Sequence, residues 1–380
     1  MKTIIFITGS KSTYPFVEAA KKKGYQIVLF DLDPNAYCKV LSDYFFAISA
    51  NDKKNIYYEI EKLKEFCDYL GVICFSSSLN ALVTSSYLME MLSLNGYSEK
   101  SLNITYDKHK LYEIMHRNNI STPGRYDLSN GLENINFPCI VKCAGGIGSL
   151  GTKVIYSLFE FQKYLECSNE ETSNLICEEF IDGELIHLDG FVQRGNLRLF
   201  NAVKKGVENI NNTPLTKGYT PFQEVLNKKE YEKLINQIEV CVSKIQIDNH
   251  YFGVDVILDL KNNDFFILEV GFLLDAKMDR LLFFQGINVY EMLVDIVTGV
   301  TVVEEKFFSK KTEKFLQFIY SNRNGKLIIN HYHPLIEWEK SNGDMVKIPD
   351  SISDILGWCV FGYKENNNIN LDDFYEVINN

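Results

Sequence analysis

Three short segments of this 380-residue chain combine residue types that could handle a polyphosphate. In the first, the run Phe137-Pro138-Cys139-Ile140-Val141 delivers Lys142, and Gly145, Gly146, Gly148 and Gly151 follow with Ser149 among them. Glycines let backbone N–H groups converge on an anion, Ser149 adds a hydroxyl donor, and the lysine supplies a point charge for phosphate oxygens. No Gly-Lys-Ser/Thr opens a helix here, so this is not a Walker loop. Without a ligand, the same residues would make a flexible hairpin loop. In the second segment, Ile176 to Gly183, a strand ends in Glu178 and Glu179, followed by Phe180 and Ile181. Glu178 and backbone groups can meet a purine edge while Phe180 and Ile181 wall its face, although a solvated strand end reads the same way. The third segment is a hairpin centred on Asn262, in which Asp255 and Glu269 lie directly opposite each other. Strand alternation then sets Gly253, Asp255, Ile257, Phe265, Ile267, Glu269 and Gly271 on one face. Like charges across a ladder destabilise it, so the pair calls for a compensating cation. Two carboxylates with positions left for phosphate oxygens suit Mg2+; water or a neighbouring Arg or Lys is the alternative.

The elements that must position these residues follow from the hydrophobic pattern. Thr3 to Thr8 is a short apolar run closed by Gly9, Ser10 and Lys11, the pattern of a buried parallel strand. A helix from about Tyr14 to Lys23 ends in three lysines and Gly24, and Gln26 to Phe30 makes a second strand. Strand, helix and strand in so short a span make a βαβ unit, and Tyr69 to Phe75 adds another buried strand. The first hundred residues thus read as a doubly wound α/β domain. Asp31 stands near the place of a dinucleotide ribose acid, but Gly9-Ser10-Lys11-Ser12-Thr13 lacks the GxGxxG spacing, which argues against a dehydrogenase. Further on, helices are expected at 107–118, 158–165, 228–245 and 288–298. Hairpins are expected at 185–203 and 252–270. The last 75 residues read as short strands, Phe315 to Ser321 and Lys326 to Ile329, ending in a polar, asparagine-rich helix or tail.

The bulk composition narrows the function. The net charge of −11 argues against a nucleic-acid partner, which wants a basic surface. The nine cysteines form no CxxC pair and read as reduced thiols of a cytoplasmic protein. No apolar run approaches the ~20 residues of a membrane helix.

Taken in order, these segments resemble the ATP-grasp superfamily, in its branch of carboxylate–amine ligases with biotin-carboxylase-like and D-alanine-ligase-like organisation. Phe137 to Lys142 is similar to the family's lysine strand, and the glycine-rich loop to its phosphate lid. Thr105-Tyr106-Asp107-Lys108 resembles a helix start whose lysine reaches nucleotide phosphate. Glu178 to Gly183 resembles the adenine-binding hinge, and Gly253-Val254-Asp255 with Ile267-Leu268-Glu269 the two metal-ligand strands.

The resemblance implies an ATP-grasp fold of mixed α/β and α+β class, with an N-terminal Rossmann-like domain at 1–104. An ATP-grasp domain would span 105–305 with its lid at about 120–185, and a C-terminal subdomain, 306–380, would pack on it. It implies Mg-ATP as cofactor, with Lys108, Lys142, Gly145, Gly146, Gly148, Ser149, Gly151, Glu178, Glu179, Phe180, Ile181 and Glu184 around the nucleotide, and Asp255 and Glu269 on the metal. The reaction implied is ADP-forming ligation of a small carboxylate, an amino acid or peptide, to an amine or thiol. A carrier protein as acceptor and a homodimer both stay open. Three departures stand against this pattern. Leu185 occupies the usual ribose-glutamate position, with Glu184 beside it, and Gly271 removes a side-chain metal ligand. Leu273 replaces the arginine expected to steady the acyl phosphate, a role that falls to Arg280 or Lys277. The same departures support the alternative of a catalytically degenerate ATP-binding partner subunit.

Overall fold

The computed structural model describes residues 1–145, 151–168, 171–222, 228–303, 313–362 and 371–378. The chain opens with β1 (Lys2–Ile7), α1 (Tyr14–Lys22), β2 (Gln26–Phe30), β3 (Tyr44–Phe46), α2 (Lys53–Lys62), β4 (Asp68–Cys74) and α3 (Leu79–Met91). The four strands form a parallel sheet in the order β3-β2-β1-β4. Ile4, Ile5, Phe6 and Ile7 of β1 are wholly buried, as a parallel strand covered on both faces requires. Proline in the first turn of α1, Lys21 and Lys22 in its last, and Gly24 at positive φ bound that helix as the sequence predicts. Asp31 is not open to a ribose: its carboxylate accepts the Gly9 N–H at 2.6 Å and the Asp33 N–H at 2.9 Å, pinning the turn after β1.

Two helices, α4 (Glu99–Tyr106) and α5 (Lys108–Arg117), lead into a small antiparallel sheet. Asp107 caps α5 by accepting the His109 and Lys110 amides, which fixes Lys108 as its first residue. The small sheet contains β5 (Arg125–Tyr126), β6 (Cys139–Cys143), β7 (Lys153–Ile155) and, after α6 (Leu158–Cys167), β8 (Leu175–Glu179), in the order β5-β8-β6-β7. Its own core gathers Cys139, Val141, Ile155, Phe161, Leu175 and Cys177.

The central sheet begins with β9 (Glu184–Gln193), β10 (Asn196–Ile210) and β11 (Thr213–Pro221), continues past α7 (Lys228–Ile245) with β12 (His250–Asp259) and β13 (Asp264–Gly271), and is followed by α8 (Met278–Phe284) and α9 (Val289–Val297). Then come β14 (Lys314–Ile319), β15 (Gly325–Ile329), β16 (Ile336–Trp338), β17 (Met345–Val346), β18 (Gly357–Gly362) and β19 (Tyr375–Ile378). Eight strands join in the order β13-β12-β9-β10-β11-β14-β18-β16, so the C-terminal residues continue the central sheet through the pairing of β14 with β11. The remaining three form a sheet in the order β17-β15-β19. The expected polar tail is thus corrected at Tyr375–Ile378, where Val377 is buried opposite Leu327 and holds the end of the chain as a strand.

The hairpin of β12 and β13 pairs Asp255 with Glu269 and Gly253 with Gly271. Between Asp255 and Val256 the register shifts, and Val256 faces Ile267 while Leu258 faces Phe265. Leu268 is the extra residue on β13. A bulge of this kind reverses the alternation, so Phe265 and Ile267 are buried with Val256 and Leu258 instead of sharing the Glu269 face. The single-face expectation therefore fails for those two side chains, because the bulge puts them in the core and leaves Glu269 partly exposed. Among the described residues no helix is long and apolar enough to cross a membrane.

Candidate functional site

Lysines from two parts of the chain meet acids where the small sheet, α5 and the central sheet come together. Lys142, on β6, reaches Glu178 on the neighbouring β8 at 2.6 Å. Glu178 also accepts the Arg125 guanidinium from β5, at 3.1 Å, and is only 5% exposed. Arg125 was not singled out from the sequence, yet it ties three elements together. Its second nitrogen donates to the Lys108 carbonyl at 3.0 Å, and its guanidinium lies 3.9 Å from the centre of the Tyr112 ring. The Lys108 N–H donates to the Ala144 carbonyl, which brings α5 against the end of β6. The Lys108 ammonium is buried and stands 3.9 Å from Glu269. The geometry thus makes two lysine–acid pairs, Lys142 with Glu178 and Lys108 with Glu269, linked through Arg125 and the Lys108 carbonyl.

A second charged group covers the floor of the central sheet. His187, opposite Asp255 across β9 and β12, places Nδ1 2.7 Å from Asp255 and Nε2 3.1 Å from Asp189. Asp189 also accepts the Asn201 amide and the Tyr251 hydroxyl, each at 2.6 Å. Lys205, on β10, donates to Asp255 at 2.9 Å and to Asp275 at 2.6 Å. Burial alone would push His187 down, but the Asp189 and Asp255 carboxylates outweigh it and hold the imidazole up at about 10. Burial likewise disfavours the charged forms of Lys205, Asp255 and Asp275, yet their mutual attraction wins: Lys205 is raised and both carboxylates lie below the usual range. The sequence signal for this floor was His187 and Asp189 alternating within the otherwise apolar run from Leu185 to Val192.

The remaining predicted residues spread around these two groups. Gly145 is exposed and Gly151 adopts φ +70°, where a Cβ would meet the Cys143 sulfur at 2.6 Å; only glycine suits that position. Gly146, Gly148 and Ser149 lie outside the described residues. Glu179 accepts the Gly124 N–H, Phe180 is exposed and Ile181 half-buried. Glu184 pairs with Lys204 at 2.6 Å. Arg280 is not brought to Asp255 or Glu269: it faces Asp279 at 3.5 Å and lines a cleft with Lys11, Tyr14, Tyr37 and Phe283. Lys277 is engaged by Glu339. Leu273 packs at the margin of the main core.

The like-charge pair is met by neighbouring cations, Lys205 and His187 on Asp255 and Lys108 by Glu269, which is the alternative to a metal; the two carboxylates also keep donor positions that Mg2+ could use. Glu269 is 43% exposed at its side chain and stands across the hairpin from Asp255. Each Asp255 oxygen takes one hydrogen bond, which leaves lone pairs for a hard cation. A Cβ at Gly271 would meet nothing within 4 Å, so the space beside Glu269 is open. Asp255 and Glu269 are therefore the residues that would hold the ion.

The ATP-grasp domain family model matches residues 105–271. The D-alanine–D-alanine ligase of Petrotoga mobilis is 24% identical over 284 residues, covering 70% of this chain and 86% of that protein. Two solved structures are similar over the full length of this chain. The L-amino acid ligase from Bacillus licheniformis has a TM-score of 0.78 at 16% identity, with 99% of its chain covered. Phosphoribosylglycinamide synthetase from Anaerococcus prevotii has a TM-score of 0.72 at 17% identity, with 100% of its chain covered. The order β6, β8, β12, β13, with a lysine or acid at each, is the order in which the family's segments were read in the sequence. Residues 105–271 match the ATP-grasp domain, and the whole chain shares its fold with these two solved structures.

Proposed function

We propose that this chain is an ATP-dependent ligase that activates a small carboxylate, an amino acid or peptide, for attack by an amine. The observation that carries the reading is the approach of Lys108 to Glu269 on the central sheet, at 3.9 Å, with Asp255 directly across from Glu269 and Lys142 held by Glu178 in the small sheet. The names of its relatives, a D-alanine–D-alanine ligase and an L-amino acid ligase, agree with an amino-acid substrate.

In the proposed reaction a substrate carboxylate oxygen attacks the γ-phosphorus, the bond to the β,γ-bridging oxygen breaks, and ADP departs. The amine nitrogen then attacks the acyl carbon, the carbon–oxygen bond to phosphate breaks, and the nitrogen loses its proton. Lys108 and Lys142 spread the charge that develops on the phosphoryl oxygens. Glu178 holds Lys142 in place, Phe180 and Ile181 border the base, and Glu184 stands where a ribose hydroxyl would be met. Mg2+ on Asp255 and Glu269 would neutralise phosphate charge. Residues 1–104, 105–305 and 306–380 serve as the substrate-facing, nucleotide-binding and supporting parts.

A second reading, a nucleotide-binding partner subunit without turnover, is favoured by Leu273, whose packing against the core leaves no cation at that place. Incubation with Mg-ATP and pooled amino acids separates the two. ADP and phosphate should appear with a particular pool and fall about 10²–10³-fold in Lys142→Ala. ATP bound but unchanged across pools of acids and amines would sink the ligase reading.

A further inference from the structure

The floor of the central sheet contains what looks like a metal site. His187, Asp255 and Asp275 each offer a ligand atom, and these atoms all lie within 4.8 Å of one another. A neutral imidazole with two carboxylates is a donor set that Mn2+ accepts readily, but His187, held up at about 10, would have to lose its proton to ligate. The Lys205 ammonium, however, bridges the two carboxylates, 2.9 Å from Asp255 and 2.6 Å from Asp275. Lys205 is only 8% exposed, and its two acids come from different elements, β12 and the loop after β13. A dication sharing the Asp255 or Asp275 oxygen that Lys205 contacts would face a positive charge at contact distance in a weakly screened interior.

The opposite side of Asp255 is different. Glu269 is partly exposed, Gly271 brings no side chain, and the space a side chain would enter there is empty. The missing group at position 271 is therefore not excluded by crowding. Room for a second ion exists, while the carboxylate it would share already holds a fixed cation.

We propose that Lys205 is a built-in cation standing in for one divalent ion, so that the nucleotide complex takes a single divalent ion, on Glu269 and the outer lone pairs of Asp255. This rests on the Mg-ATP reading above and adds the number of ions and the residue that sets it. Lys205 is a positioning residue in this arrangement: it fixes the Asp255 carboxylate and limits the site's charge.

The test counts Mn2+ by electron paramagnetic resonance on the full chain with adenylyl imidodiphosphate, whose bridging nitrogen blocks phosphoryl transfer. The wild type should bind one Mn2+ per nucleotide. Lys205→Met should take a second, with nitrogen hyperfine coupling from His187, and should bind Mn2+ without nucleotide roughly tenfold more tightly than the wild type. Gly271→Asn adds a ligand at the open position but keeps Lys205, and should stay at one ion. Two ions in the wild type, or a second ion gained with Gly271→Asn and not with Lys205→Met, would overturn the proposal. Should Lys205→Met fail to fold, the wild-type and Gly271→Asn counts still decide. A wild type that binds no nucleotide removes the ATP reading and the single-ion count. A gain of Mn2+ by Lys205→Met without nucleotide would even then uphold Lys205 as the built-in cation.

Discussion

The two charged groups of this molecule are built in opposite ways. The floor group, His187, Asp189, Lys205, Asp255 and Asp275, sits on neighbouring strands of one sheet and the loop beside them, where register fixes every partner. The Lys142, Arg125, Glu178 and Lys108 group joins elements of the small sheet to α5, and its link to Glu269 is a loose 3.9 Å. A charge sealed among fixed partners can shape a site but cannot follow a reaction. Lys142, held by Glu178 on the neighbouring strand of the small sheet, would exchange that acid for a phosphate oxygen in the proposed reaction. Under the proposed reading the floor would serve as scaffold and the lysines as working charges, with Asp255 belonging to both.

The comparison breaks most visibly if the floor is opened. Asp189→Leu keeps the branching of the side chain, at a larger volume, but strips the acceptor from Tyr251, Asn201 and His187 at once. Asp189 is wholly buried, so the abandoned polar groups gain no water, and unfolding free energy should fall by about 3–5 kcal/mol. Urea unfolding of the two proteins measures this directly. A loss under about 1 kcal/mol would mean that the floor relaxes freely and is no scaffold.

Glu178→Gln makes the matching change in the other group. The amide oxygen can still accept from one of Lys142 and Arg125, and the stability loss should be smaller, about 1–2 kcal/mol. Nucleotide should restore more of the melting temperature here than in Asp189→Leu, because bound phosphate gives the released Lys142 a new partner. Equal rescue of both variants by a non-hydrolysable ATP analogue would erase the distinction.

How much of this was readable before the structure depended on sequence distance. The β1–α1–β2 unit was plain, because its apolar runs and its Gly24 stop are local signals. The Asp255–Glu269 pairing was plain too, since a hairpin with a short loop forces opposite partners. One extra residue, Leu268, then sent Phe265 and Ile267 to the other face, and no periodicity announces a single-residue bulge. The floor stayed hidden for a different reason. His187 and Asp255 are 68 residues apart, and Lys205 and Asp275 are 70 apart, so only the strand order of the sheet brings them together. Asp31 is a third case: its spacing suits a ribose acid, the missing GxGxxG spacing argued against that reading, and the Gly9 N–H occupies its carboxylate.

The smallest effect concerns the edge of the proposed nucleotide site. Glu184 and Lys204 form a pair at 2.6 Å whose side chains are 31% and 43% exposed. Exposed pairs of this kind contribute about 0–1 kcal/mol, so Glu184→Ala should leave the melting temperature almost unchanged. If Glu184 takes the ribose in place of the glutamate that Leu185 displaces, the same variant should raise the KM for ATP several-fold, about 1 kcal/mol, with kcat held. Lys204→Ala provides the control, since it breaks the ion pair and leaves the carboxylate in place. A KM raised equally by both variants would point to the pair, and not to Glu184 itself, as what the nucleotide requires. A KM raised by neither would place the ribose elsewhere and confine the working charges to the lysines, Glu269 and Asp255.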